Sequence, residues 1–303
     1  MIRAYSERPT LLISEGSNAM LNGSTAEHIA FTGTGTAYDP ETGEALIYAP
    51  AATHRVVSLS QYTAHRERKS FRGRQDNFTF SVLETLHEVT SVLTRAQRGF
   101  LFLLQCYINY DDGRLISANK SPMTTEDMRK ALKMDGRRKK SSFYDFLNRC
   151  VEHGIILANE DGSYSVNERY HFRGTSQTGL SVIKSYTAKI KRMYGTTRPE
   201  DLGLIYTMLQ LTHYGSNTLC ANPSEQVPEK VRSLNRKELA SVLGISVGEI
   251  SRRFPTFTVD GEYVIAKVSV GGVDSYMFNP WIFYRKMTQP DETLRTIFRV
   301  KAK

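Results

Sequence analysis

The chemistry this chain can do is concentrated in its cations. Arg137, Arg138, Lys139 and Lys140 are consecutive and lead into Ser141 and Ser142. Behind them Phe143, Tyr144, Phe146, Leu147, Cys150 and Val151 recur at helical spacing, which predicts an amphipathic helix to about His153. Positive charge at the front of such a helix, with Ser141, Ser142 and Tyr144 beside it, can reach phosphate oxygens or the O6/N7 edge of guanine. A solvated helix end is the alternative. Lys184, Lys189, Lys191 and Arg192 form a second set within residues 175–198, a Ser/Thr/Lys-rich stretch with no acidic side chain. Leu180, Val182, Ile183, Tyr186, Ile190 and Met193 predict a helix there, either following a polyanion backbone or serving as a solvated tether. A third set fills residues 65–74, where five of ten side chains are Arg or Lys. It reads equally as an arm on a polyanion and as a soluble loop.

No catalytic constellation accompanies these charges. The sequence has no Gly-Lys pair, so the phosphate-cradling loop of nucleotide hydrolases is missing. It has no His-x-His pair, and its seven histidines are scattered. Acidic pairs such as Glu126-Asp127 fall at helix starts, where the helix dipole explains them. Tyr144, Tyr170 and Tyr284 are conceivable nucleophiles, but no supporting Arg/His set is recognisable. The expectation is a binding protein without cofactor or metal.

Residues 235–254 carry the most specific pattern. Asn235 is a good cap for a helix Arg236–Leu243, Gly244-Ile245-Ser246 forms a turn, and a second helix runs from Val247 to Phe254. Ala240 is small where the helices would cross, Gly244 supplies positive φ, and Ile245 and Ile250 fill the angle between them. This string resembles the helix-turn-helix signature of bacterial DNA-binding proteins; a plain helical hairpin is the alternative. The resemblance implies base or phosphate contacts from Arg236, Ser246, Val247, Glu249, Ser251, Arg252 and Arg253. The first cationic run has the same setting: Thr124 or Thr125 as cap, a helix 126–133, the turn Met134-Asp135-Gly136, then the basic helix.

An internal duplication positions both. Gly99-Phe100-Leu101-Phe102-Leu103-Leu104 recurs 104 residues on as Gly203-Leu204-Ile205-Tyr206-Thr207-Met208. Both runs lead to a polar turn and then to Ala-Asn, at Ala118-Asn119 and Ala221-Asn222. The far ends match at an offset of 112, Tyr164 to Gly174 against Tyr276 to Lys286, so the second copy holds about eight extra residues. After each helix pair come strand candidates: 154–158 and 163–166 in the first copy; 256–259, 263–270 and 274–278 in the second. The predicted fold is therefore mainly α with small β wings (α+β): tandem winged helix-turn-helix domains. The expected divisions are a partly disordered N-terminal region with short strands (1–77), a first domain (78–175) whose helical pattern begins at Phe78, a basic linker helix (176–199), a second domain (200–288) and a tail (289–303). Within the first region, Asp39 to Glu44 is a turn signal between short strands, and Arg55 to Leu59 a further strand candidate.

The 303 residues carry a formal net charge of +9, with 40% hydrophobic residues, which allows real cores and favours a polyanionic partner. No apolar run reaches the ~18–20 residues of a membrane span, and the N-terminus lacks signal-peptide character. Cys106, Cys150 and Cys220 are odd in number and set in apolar surroundings, which suggests reduced, buried thiols in a cytoplasm.

The first copy resembles the winged-helix replication initiators of small plasmids and phages, the RepL-type family. Leu115-Ile116, the helix pair within 124–153, Glu152-His153-Gly154-Ile155-Ile156 and the run from Val166-Asn167 to Phe172-Arg173-Gly174 carry the resemblance, with the Asp39–Glu44 turn ahead of them. It implies binding to double-stranded DNA with direct or inverted repeats, and host replication proteins and a second copy of the chain as candidate partners. A transcriptional regulator using the same modules on an operator is the alternative.

Overall fold

The computed structural model describes residues 77–300 except 111, 176–178 and 271–272; before residue 77 it describes the backbone of short strands only. Among these, Gly35–Tyr38 pairs antiparallel with Ala45–Tyr48, flanking the predicted turn, and Arg55–Ser58 is a strand. The expected disorder before residue 77 and the basic segment 65–74 lie outside the described residues. Residues 1–75 and 76–303 form two compact units.

The second unit is α+β. It opens with β1 (Phe78–Val82), α1 (Leu86–Val92) and α2 (Arg95–Leu104), and a 3-10 turn extends α2 to Tyr107. Next come α3 (Thr125–Ala131), a 3-10 turn over Arg137–Lys139, and α4 (Lys140–Glu152). The hairpin β2 (Ile156–Ala158) and β3 (Tyr164–Val166) follows, then β4 (His171–Phe172). The series then recurs. It runs β5 (Val182–Tyr186), α5 (Thr187–Thr196), α6 (Pro199–Met208) with its own 3-10 extension, α7 (Arg236–Leu243) and α8 (Val247–Arg253). It closes with β6 (Thr258–Val259), β7 (Glu262–Tyr263), the hairpin β8 (Ile265–Val270) and β9 (Val273–Phe278), and β10 (Phe283–Tyr284). No helix among the described residues is long and apolar enough to cross a membrane.

Two expectations need correction. Phe78–Val82 is a strand, not the start of a helix: Phe78, Phe80 and Val82 alternate with Thr79 and Ser81, a period of two. The helical period begins only at Leu86. Residues 175–198 are not a linker helix either. Val182–Tyr186 is a strand with all five side chains buried, and α5 after it buries Ile190, Met193 and Tyr194. These elements begin the second repeat.

The central sheet has the order β10-β5-β1-β4, and its register obeys an internal two-fold axis. In the β1–β5 pair, Val82 faces Val182 and Phe78 faces Tyr186, while Phe80 faces Lys184. Adding 104 to position 80 gives 184, so the repeat shift relates the two members of this pair and exchanges the other two pairs, and the axis passes between Phe80 and Lys184. The outer strands agree: Phe80 pairs with Phe172 as Lys184 pairs with Tyr284. Loop hydrogen bonds repeat as well. Leu115 N donates to Tyr164 O at 2.8 Å, and Leu219 N to Tyr276 O at 2.7 Å. Asn109 N donates to Arg114 O at 2.7 Å, and His213 N to Thr218 O at 2.8 Å.

Two glycines permit this symmetry. A Cβ on Gly99 would sit 2.0 Å from the Pro199 carbonyl oxygen, and one on Gly203 would sit 1.7 Å from that of Arg95. Gly99 is equivalent to Gly203 and Arg95 to Pro199, so α2 and α6 cross reciprocally with backbones touching. This contact, within one chain, has the isologous form of a symmetric dimer interface. Around it lies one continuous core that includes Leu101, Phe102, Phe143, Phe146, Ile205, Tyr206, Phe278 and Phe283. The two expected domains are thus repeats fused into one unit. Seven of the extra residues lie in the loop 221–232, between the paired positions Cys220 and Ser233, where the first repeat closes directly from Ile116 to Pro122. By that register Ala221 is equivalent to Ser117, so the Ala-Asn match in the sequence is out of step by one.

Candidate nucleic-acid interface

The helix pair of the first repeat is built around the turn between α3 and α4. Thr124 and Asp127 cap α3 reciprocally, with Thr124 Oγ1 accepting from Asp127 N at 3.1 Å. Lys133 takes positive φ at the turn, 52°, the position equivalent to Gly244. Arg129 pins the turn by donating to the carbonyls of Met134 (3.3 Å) and Asp135 (2.8 Å). From the second repeat, the Tyr194 hydroxyl donates to Leu132 O at 2.9 Å. The basic front then emerges. Arg137, Lys139, Lys140, Ser141 and Ser142 are exposed, while Phe143, Phe146, Leu147 and Cys150 are buried beneath them. Tyr144 is half-buried and packs edge-on against Phe143. The Arg138 side chain lies outside the described part. Lys139 Nζ donates to Lys133 O at 3.2 Å. Neither the 3-10 turn nor α4 has a side-chain cap, and neither has an acidic residue in its first turn. Exposed Lys133 widens the basic patch, while Lys130 is paired with Glu126 at 2.9 Å; Lys133 escaped notice in the sequence because a lysine seldom marks a left-handed turn position.

In the second repeat the local predictions hold in detail. Asn235 caps α7 through the N–H groups of Lys237 and Glu238, Gly244 is left-handed at φ 61°, and Ser246 caps α8. Leu239, Ala240, Leu243, Ile250 and Phe254 are buried, with Ile245 packed against them. The charges are arranged differently. Arg253 bonds Asp201 of α6, and its other amino group reaches Glu249 at 3.1 Å. Arg198 also holds Asp201, at 3.1 Å. The Ser246 N–H donates to Glu249, which keeps that carboxyl below the usual carboxylate range and charged at neutral pH. Arg236 donates to Ser251 Oγ at 3.1 Å and to the Tyr276 hydroxyl at 3.3 Å, and lies 3.7 Å from Asp274 on β9. Of the cations assigned to this helix pair, Arg252 makes no ion pair among the described residues, and it is exposed.

The cations of 184–192 do not form one surface. Lys184 is 1% exposed, in the middle of the sheet, 5.5 Å from the centres of the Phe78 and Tyr284 rings. Burial pushes its pKa down to about 8. Lys189 and Arg192 both bind Asp260, at 2.7 and 2.5 Å, in the turn between β6 and β7. Lys191 Nζ sits 3.8 Å above the Tyr107 ring. Lys184 and Lys189 are therefore corrected to structural roles, because a buried or ion-paired ammonium is not available to a duplex. Arg192 keeps most of its side chain exposed.

Each repeat adds a hairpin after its second helix. In the first, Arg114 holds Asp161 at 2.7 Å at the tip of β2–β3. In the second, Lys267 on β8 holds Asp274 at 2.8 Å and lowers that carboxyl's pKa.

The sequence did not reveal the buried polar link between repeats. His171 on β4 lies 3.0 Å from Ser81 Oγ on β1 and 2.8 Å from the Tyr206 hydroxyl on α6. Burial pushes its pKa down to about 3, so the ring is neutral in the native state. Cys106, Cys150 and Cys220 are free and buried, as expected. No group of acidic, His or Cys side chains among the described residues could hold a metal. No family model, curated protein or solved structure matches the chain.

Proposed function

We propose that this chain is a sequence-specific double-stranded DNA-binding protein, built from two winged helix-turn-helix modules related by an internal two-fold axis. Its role in this reading is that of a plasmid or phage replication initiator binding repeats at an origin. One observation carries the DNA reading. Each repeat supports a capped helix, a tight left-handed turn, a second helix and a hairpin, and in the first repeat the second helix begins with exposed cations that no carboxylate among the described residues holds. Helix-turn-helix proteins read bases with the front of that helix and place their hairpin along the flanking backbone. Exposed Arg and Lys without carboxylate partners can release phosphate counterions, so affinity should fall steeply with salt. The initiator role rests on the resemblance of the first repeat to the RepL-type family.

The pseudo-dyad favours a second reading, a regulator on an operator. Two-fold-related readers match half-sites in opposed orientation, the layout that symmetric repressor dimers use. Footprinting of the purified chain on DNA around its own gene, at two salt concentrations, separates the two. Several regularly spaced protected repeats beside an A·T-rich segment fit an initiator. A single protected site over a promoter fits a regulator. No protection, or protection without sequence preference, contradicts both.

A further inference from the structure

The outward stripe of α8 is made by Val247, Gly248, Ser251 and Arg252, with Ile250 and Phe254 on the opposite, buried side. Val247 stands at its front and is 39% exposed. The front of this helix is poorly suited to a phosphate. Ser246 and Glu249 bond each other's backbone N–H groups, at 3.1 and 3.0 Å, so two donors of the helix start are occupied. The Glu249 carboxylate beside them is paired with Arg253 and adds no positive charge that would draw an anion. Gly248 adds no side chain that would hold another surface away. The front of α8 therefore offers an apolar, β-branched group on a firmly capped helix. In the major groove the apolar counterpart is the C5-methyl group of thymine. The first repeat has nothing similar: the equivalents of Ser246 and Val247 are Asp135 and Gly136, followed by the cationic turn.

We propose that Val247 is a specificity-determining residue that packs against a thymine methyl group, and that this contact belongs only to the half-site read by the second repeat. The inference rests on the DNA-binding reading above. It makes the two half-sites chemically unlike, one read by cationic donors and one partly by methyl contact.

The test uses the full chain. Duplexes that it retains are selected from a random pool, and each thymine of the selected site is then replaced singly by uracil, which removes only the methyl group. One replacement, within a single half-site, should weaken binding about three- to tenfold, the scale of one buried methyl group with its packing. Val247→Ala should bind the thymine duplex as weakly as the unaltered chain binds the uracil one, and should not respond to the uracil exchange. Val247→Thr, which keeps one methyl and the branched shape, should fall between. Val247 is exposed and alanine favours helices, so neither variant threatens the fold. If uracil is neutral at every thymine of a selectively bound site, or if Val247→Ala keeps the full uracil penalty, the proposal is overturned while DNA binding stands. If no sequence is enriched, the DNA-binding reading falls and this inference with it.

Discussion

The fronts of α4 and α8 sit on the same scaffold and carry opposite electrostatics. The α4 front has no side-chain cap, no acid in its first turn and exposed Arg137, Lys139 and Lys140. The α8 front is boxed by Ser246 and Glu249; its neighbour Arg253 is turned inward to Asp201, and Arg236 is tied to Ser251 and Tyr276. Duplication fixed the backbone plan, down to matched strand registers and loop hydrogen bonds, while the surface charges diverged. In the proposed reading the first module supplies most of the affinity and the second contributes discrimination.

The largest effect tests the shared scaffold. Ala at Gly99 or Gly203 would drive a Cβ into a helix backbone that cannot withdraw without parting the repeats. A loss of about 3 kcal/mol or more in urea unfolding is expected from either change. Near-normal stability would mean that the α2–α6 crossing does not hold the repeats together.

The next effect divides the modules. Replacing Arg137, Arg138, Lys139 and Lys140 together by Ala should lower DNA affinity at least a hundredfold at low salt. It should also flatten the salt dependence by about 0.9 in slope for each phosphate that is no longer neutralised. Arg252→Ala should cost tenfold or less. Equal losses would erase the proposed division.

His171 supplies a pH test. Its folded pKa, about 3, lies below the ordinary 6.5, so the unfolded chain binds the proton first. The stability linked to this group is complete above pH 6.5 and declines as pH falls from there toward 3, by about 1.4 kcal/mol per pH unit. His171→Gln should make that part of the profile shallower in urea titrations at successive pH values. An unchanged profile would mean that the ring is not held neutral between the repeats.

The smallest effect is expected at Lys184. Lys184→Met should leave DNA affinity unchanged within twofold, since the ammonium is buried in the sheet. A fall like that of the α4 cluster would restore Lys184 to the interface.

The sequence made the short-range features legible. The caps Thr124 and Asn235, the left-handed Gly244 and the alternation of helix and turn all depend on neighbours within a few residues. The 104-residue repeat was readable too, because α2 and α6 kept their apolar register. Of what escaped, β1 carries a local two-residue alternation and Lys133 a local turn position, and the rest was decided at long range. Val182–Tyr186 has an apolar content that suits a strand as well as a helix, and only pairing with β1 and β10 settles it. The inward turn of Arg253 depends on Asp201, and that of Lys189 on Asp260, 52 and 71 positions away. A charge pattern names the cations of a chain; it does not say which of them are already partnered.

Selection of bound duplexes from a random pool, with the number of chains per duplex measured by mass, tests the central claim most directly. Two unequal readers related by a two-fold axis should enrich a bipartite site. It would have two unlike half-sites in opposed orientation, about one helical turn apart, occupied by one chain. A site with a single block, or two identical blocks each holding its own chain, would contradict it.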